Sequence, residues 1–305
     1  MSYLISYRFT VVPLSDVILP PLSSKIVKFI VETRGGKISM LSKSSMPFKP
    51  LSISPLFIND RPLISYNVSG SPLTAVGGTP LIAYLSLVST EYSLIDELSS
   101  LEGVYDTPYG KFRINIDSLD IIEVKDLSLG LSKFFRIDFI TPTILTSKYM
   151  LPPTLKHKSR LLPERYRLIP QPSLIFSYLL RLWNSVVSPE ERIPNPEADD
   201  WQAYKLGRLS DIILVEIDYR LRPTSVVIGK DEKGNLRVAK GFRGWVSYEC
   251  ISNKLLKIYD KLLALATYLG VGRSRGIGLG LVRVKTYNIE RAYASSASEY
   301  TSHSQ

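Results

Sequence analysis

The segment NKLLKIYDKLLALATYLGVGRSRGIGLGLVRVKTY, Asn253 to Tyr287, places a long amphipathic run before a glycine cluster and an alternating apolar run after it. The first part reads as a helix capped by Ser252 or Asn253 and ended at Gly270. The part beginning at Gly278 reads as a strand. Between them Gly270, Gly272, Gly276, Gly278 and Gly280 surround Arg273, Ser274 and Arg275. The order is decisive. A dinucleotide fingerprint has its strand before the glycines and its helix after them. A P-loop needs Gly-Lys followed by Ser or Thr. Neither pattern is met. Two readings remain: glycines that cap a helix and let backbones pack closely, or a loop offering amides and arginines to the phosphates of a polynucleotide.

Upstream, KFFRIDFITPTIL predicts a strand and QPSLIFSYLLRLWNSVV a helix, with Ile175, Leu179 and Leu182 at helical spacing. DIILVEIDYRLRPTSVVIG and LRVAKGFRGWVSYEC form a strand pair across the turn KDEKGN. The second half therefore runs strand, helix, strand, strand, helix, strand, the split βαβ plan of ferredoxin-like domains. The first half repeats it. A strand over Tyr3 to Val12 is followed by a helix capped at Ser23 or Ser24 and closed by Gly35-Gly36. Short strands in FKPLSISPLFI and RPLISYNVS come next, then a strand in TPLIAYLSLVS, a capped helix in TEYSLIDELSSLEG, and a strand or hairpin in GKFRINIDSLDIIEVK. The fold class is α+β, two tandem ferredoxin-like domains over 1–128 and 129–290, divided at the polar stretch KDLSLGLS. Residues 291–305 read as a disordered tail. LIAYLSLV is either core or a dimer contact, which leaves a homodimer open.

The chain has 305 residues, a net charge of +10 and a pI near 9.5. That balance favours a polyanionic partner, nucleic acid before an acidic membrane surface. Cys250 is the single cysteine, which excludes an intrachain disulfide and a thiolate cluster. His157 falls in a cationic, proline-rich loop and His303 in the tail. Neither joins a carboxylate cluster, so no metal and no cofactor are expected. The N-terminus does not read as a secretory signal, and no apolar run approaches the length of a membrane span. A cytoplasmic protein with no membrane contact is expected.

Four stretches occur in an informative order: FKPLSISPL, FRIDFITPT, GFRGWVSYEC and GVGRSRGIGLG. With the tandem fold they resemble the RAMP superfamily of CRISPR-associated proteins, and within it the archaeal form of the repeat-processing endoribonucleases, the Cas-six family. The resemblance spans nearly the whole chain. It implies a CRISPR repeat RNA as substrate, other CRISPR-associated subunits as further partners, and metal-independent cleavage by a 2′-hydroxyl that leaves a 2′,3′-cyclic phosphate. It also implies RNA contacts by the glycine loop (Gly270, Gly272, Arg273, Ser274, Arg275, Gly276, Gly278 and Gly280), with Lys43 and Arg243 beside it.

Many members of that family carry a catalytic histidine after the first helix. This chain has none there. From Pro21 to Pro50 it carries Lys25, Lys28, Arg34, Lys37, Lys43 and Lys49 against the single acid Glu32. Lys25 and Lys28, three apart, share a helical face. Like charges held together lower one another's pKa and raise the fraction of free amine. The expected catalytic cluster is Lys25, Lys28 and Lys49, supported by Arg237 and Lys240 from the hairpin LRVAKGFRG. Tyr3, Tyr7 and Tyr66 are further acid–base candidates. A non-catalytic RNA-binding subunit with the same fold is the alternative.

Overall fold

Strand β1 (Tyr3–Pro13) shows how the sequence builds the first half. Ile5, Tyr7, Phe9 and Val11 are buried on one face, while Ser6, Arg8 and Thr10 alternate on the other. A computed structural model of the chain describes residues 1–66, 72–163, 165–194, 200–230 and 234–287. The tail expected over 291–305, with His303, lies outside the described residues.

In the first half β1 is followed by α1 (Ser24–Arg34), α2 (Gly36–Lys43), β2 (Leu51–Ile53), β3 (Leu81–Ser89), α3 (Ser93–Ser99), β4 (Gly103–Thr107) and β5 (Gly110–Glu123). β1 lies between β3 and β5, both antiparallel to it; β2 lines the outer edge of β3, and β4 folds back on β5. The order β2-β3-β1-β5 is that of a ferredoxin-like sheet extended by one hairpin strand. Ile26, Val27, Ile30 and Val31 of α1 pack with Tyr7, Phe9 and Leu85 in one core. Leu81, Ala83, Leu85 and Leu87 of LIAYLSLV are fully buried there, which makes this face of the run core.

The second half contains β6 (Phe134–Thr143), α4 (Pro172–Val186), α5 (Asp200–Ile213), β7 (Leu214–Lys230), β8 (Leu236–Cys250), α6 (Asn253–Leu269) and β9 (Val282–Tyr287). Its sheet runs β7-β8-β6-β9, antiparallel throughout. Phe135, Ile137 and Phe139 point into a core closed by α4 and α6. The Ser252 hydroxyl caps α6 by accepting from the Leu255 amide at 3.4 Å. The fold class read from the sequence holds in both halves.

Three local expectations are corrected. Ser23 does not cap α1: its hydroxyl donates to the Leu63 carbonyl at 2.7 Å and accepts from the Leu56 amide at 2.9 Å, tying the helix start to a neighbouring hairpin. The Gly35-Gly36 pair does not open a loop. Both glycines have positive φ, near 80°, and turn the chain directly into α2. Glu97 of α3 then accepts from the Lys37 and Ile38 amides at 3.0 and 2.8 Å, satisfying the start of α2 from outside. Finally, residues 200–213, part of which read as strand, form α5. Gly207 lets this helix approach α4 closely, since a methyl there would meet the Ser173 carbonyl oxygen at 2.7 Å.

Near the glycine segment the halves meet through Leu22 and Ile64 of the first and Ile144, Val226, Ala239 and Leu279 of the second, one small apolar cluster. That contact sets α1 against the glycine segment, and the cleft described next opens beside it.

Candidate active site and nucleic-acid interface

A cleft of about 770 Å³ lies where the two halves meet. One wall comes from the first half, with Lys28 and Glu32 of α1, Ser42 and Lys43 of α2, and Lys49 at the approach to β2. The other comes from the second half, with Arg237 of β8 and the glycine segment from Gly272 to Ile277. Residues more than 200 positions apart in sequence thus face one space.

Lys28 and Glu32, one helical turn apart, form an ion pair. The Ser42 hydroxyl lies 3.2 Å from Lys28 Nζ and donates to Glu32 Oε1 at 2.8 Å. Lys49 Nζ donates to the Ser42 carbonyl at 2.6 Å. Lys43 Nζ reaches the Glu32 carbonyl at 3.4 Å. Burial lowers the pKa of Lys49, as do the charges of Lys28 and Arg275, while Glu32 opposes the shift. Burial, and then the Lys28 charge, lower that of Lys25. Burial pushes the Glu32 carboxyl up, but hydrogen bonds from Lys28 and Ser42 and the charges of Lys28 and Lys43 hold it below the ordinary glutamate value.

Lys25 stands just outside this group. Its amine lies 3.7 Å from where a side chain on Gly229 would begin, at the β7–β8 hairpin that carries Arg237. Arg237 and Lys240 were expected to act together, and the strand separates them. Residues 237 and 239 share one face of β8, turned toward the first half through Ala239, whereas Lys240 points to the opposite face. Arg243, on the inward face, lies outside the cleft and stacks 4.1 Å above the Tyr66 ring. Burial raises the pKa of Tyr66, and the neighbouring Arg243 guanidinium opposes the shift. Tyr7 donates to the Ile95 carbonyl at 2.9 Å and Tyr3 packs on Tyr92. All three tyrosines lie away from the cleft, and His157 is exposed on a short 3-10 helix.

The glycine segment resolves into two kinds of residue. Gly270, Gly272, Gly278 and Gly280 all have positive φ. A methyl on Gly272 would meet the Ile144 oxygen at 2.4 Å, and one on Gly280 the Val271 oxygen at 2.1 Å. These glycines serve their own fold. Gly276 differs: it faces the cleft, and nothing stands within 4 Å of the position a side chain would take. Arg275 corrects an expectation. It was read as a phosphate contact, but its side chain is buried. It donates to the Leu269 carbonyl at the end of α6 at 2.9 Å and to the Lys49 carbonyl at 2.6 Å. It braces the segment that carries Lys49 into β2. Arg273 beside it is exposed and lines the cleft.

Glu32 and Ser42 are the cleft residues that a search for cations passes over. Their signal was weak: Glu32 is the lone acid among six cations, and Ile38 and Leu41 are at helical spacing after the glycine pair.

Among the described residues no helix is long and apolar enough to cross a membrane, and no group of three His, Cys, Asp or Glu side chains is placed to hold a metal.

The chain matches the family model for the Cas6 N-terminal domain over residues 5–122 and that for the CRISPR-associated endoribonuclease Cas6 over residues 137–282. It is 35% identical over 293 residues to the CRISPR-associated endoribonuclease Cas6 1 of Saccharolobus solfataricus, covering 93% of this chain and 97% of that protein. It is 34% identical to Cas6 2 of the same organism, covering 95% and 99%. A solved structure of Thermus thermophilus Cas6 superposes with a TM-score of 0.57 at 18% identity, over 93% of this chain and 98% of that one, a likeness of fold. The chain belongs to the Cas6 family of CRISPR-associated endoribonucleases.

Proposed function

We propose that this Cas6 family member cleaves CRISPR precursor RNA within its repeats, in the cleft between its two halves, by a metal-independent transesterification carried by lysines. The observation that carries the reading is the convergence of Lys28, Lys49, Arg237 and Arg273 on one space that contains a single carboxylate. The family's endoribonuclease relatives give the reaction class.

In the proposed step the 2′-oxygen before the scissile phosphate attacks phosphorus and its proton passes to a neutral lysine amine. Lys49 and Lys25 are the candidates, because burial and the Lys28 charge favour their neutral forms. The bond to the 5′-oxygen breaks as that oxygen takes a proton from an ammonium group, which leaves a 2′,3′-cyclic phosphate and a 5′-hydroxyl. Lys28, paired with Glu32, and Arg237 stabilise the charge gathering on the phosphorane oxygens. Arg273, Ser274, Gly276 and Lys43 bind the flanking phosphates. Lys240, Arg243 and the four packed glycines stand outside the reacting group, with Arg275 as a brace. The domain division, at the stretch 125–132 between β5 and β6, belongs to the same proposal.

Single-turnover cleavage of repeat RNA tests the reading. Lys28→Ala combined with Lys49→Ala is expected to slow cleavage at least about 100-fold, the scale of lost acid–base catalysis, while RNA is still bound. Cleavage should persist in EDTA and leave a cyclic phosphate. An unchanged rate in the double variant, or a metal requirement for the chemical step, overturns it. A wild-type chain that binds repeat RNA without cutting it establishes the rival reading, a binding subunit, which the missing histidine favours.

A further inference from the structure

We propose that Glu32 and Ser42 are positioning residues that anchor Lys28 and Lys49 in the cleft; this deepens the lysine reading above and rests on it.

Glu32 follows Lys28 by one turn of α1, so both side chains leave the helix on the same side. Ser42 reaches the same point from the last turn of α2. Its hydroxyl donates to Glu32 at 2.8 Å and stands 3.2 Å from the Lys28 amine, so one oxygen joins the carboxylate to the cation. Its carbonyl takes the Lys49 amine at 2.6 Å. A single residue thus touches both lysines, one through its side chain and one through its backbone. The platform is itself fixed. Ser39 donates to the Glu32 carbonyl at 3.1 Å, and Glu97 holds the other end of α2 through two amides.

A carboxylate in a cleft meant only to bind phosphate would be counterproductive, since it repels the ligand. The cleft accepts that cost at Glu32. Lysine side chains are long and lose much rotamer freedom when fixed, and the ammonium groups of Lys28 and Lys49 repel one another. Without an anchor they would spread toward solvent, and a reacting group misplaced by 1 Å can lose about 100-fold in rate. The charged groups that bear on the anchor are Lys28 and Lys43 around Glu32, Lys25 beside Lys28, and Lys28, Glu32 and Arg275 around Lys49. Arg237 and Arg273 face them across the cleft.

The charge of Glu32 opposes the lowering of the Lys49 pKa by burial and by Lys28. Removing it should make Lys49 easier to deprotonate, which moves the rising limb of the rate–pH profile to lower pH even as the rate falls. The experiment compares wild type, Glu32→Gln, Glu32→Asp, Ser42→Ala, Lys28→Ala and Lys49→Ala in single-turnover cleavage of repeat RNA from pH 6.5 to 9.5, with RNA affinity and melting temperature measured alongside. Glu32→Gln is expected to slow cleavage about 10- to 100-fold with RNA affinity equal or tighter, and to shift the rising limb to lower pH. Ser42→Ala should act in the same direction with a smaller loss, and Glu32→Asp should restore part of the rate. If Lys28→Ala and Lys49→Ala abolish cleavage while Glu32→Gln leaves rate and limb unchanged, the anchor is overturned and the lysine chemistry stands. If the Glu32→Gln rate loss comes with an unmoved limb, weaker binding and a lower melting temperature, the residue is a fold support and the proposal fails. If neither lysine variant slows cleavage while RNA is still bound, the lysine reading itself falls.

Discussion

The two walls of the cleft differ in what they are made of. The α1–α2 wall presents side chains held in place by polar contacts: Lys28 on the Glu32 and Ser42 side chains, and Lys49 on the Ser42 backbone carbonyl. The glycine wall presents backbone held by backbone. The amides of Gly270, Val271, Arg273 and Gly280 pair with the carbonyls of Ala266, Gly280, Ile144 and Pro142. Proton transfer needs groups whose charge can change, and these stand on the first wall. In the proposed reaction the second wall, close and fixed, is the one that binds phosphate. Arg275 crosses between them by gripping Lys49 from the glycine side, so the chemical wall takes part of its rigidity from the binding wall.

The largest way to break this contrast is Arg275→Ala. One buried and one half-buried carbonyl lose charge-assisted donors and a packed side chain disappears, which should cost about 3–5 kcal/mol. Thermal or urea unfolding measures it, and a loss under about 1 kcal/mol would mean that the brace is not structural. Gly280→Ala comes next. The added methyl needs positive φ and meets the Val271 oxygen, so about 2–4 kcal/mol of stability should be lost. Gly276→Ala, with open space around it, should melt within about 0.5 kcal/mol of wild type. Equal effects at the two glycines would erase the distinction within the loop.

The wild-type enzyme offers a smaller, sharper comparison through pH. Below the pKa of a general base, the fraction in base form rises tenfold per pH unit. A histidine with an ordinary pKa near 6.5 would level off by about pH 7.5. A lysine starts from an ordinary pKa near 10.4, which burial and a neighbouring cation lower in Lys49. The cleavage rate is therefore expected to keep climbing from pH 7 to about pH 9. A plateau from pH 7 onward would point away from the lysine wall.

The order of elements in each half was legible because it is written in local pattern. Alternation over Tyr3–Pro13 and amphipathic spacing over Asn253–Leu269 need no tertiary knowledge. Arg275 was misread because sequence gives an arginine's charge but not its burial, and its partners are backbone carbonyls that carry no sequence signal. The α2 helix was missed because the glycine pair before it reads as a stop. The group that satisfies its start, Glu97, lies about 60 residues further along the chain. Arg237 and Lys240 were grouped by nearness in sequence, and strand period two placed them on opposite faces. The missing information was in each case a contact made at a distance.

Arg273→Ala should have the smallest effect, yet it tests the division between the walls most directly. Its side chain is exposed and lines the cleft two positions from the buried Arg275. Single-stranded RNA releases about 0.7 counterion for each phosphate neutralised. Losing one such contact should therefore flatten the slope of log affinity against log salt by about 0.7, while stability stays within about 0.5 kcal/mol of wild type. Cleavage of fully bound RNA should be almost unchanged, because Arg273 stands on the binding wall. A drop in the single-turnover rate at saturating protein, with the salt slope intact, would move Arg273 to the reacting phosphate. The glycine wall would then have to be counted as part of the chemistry.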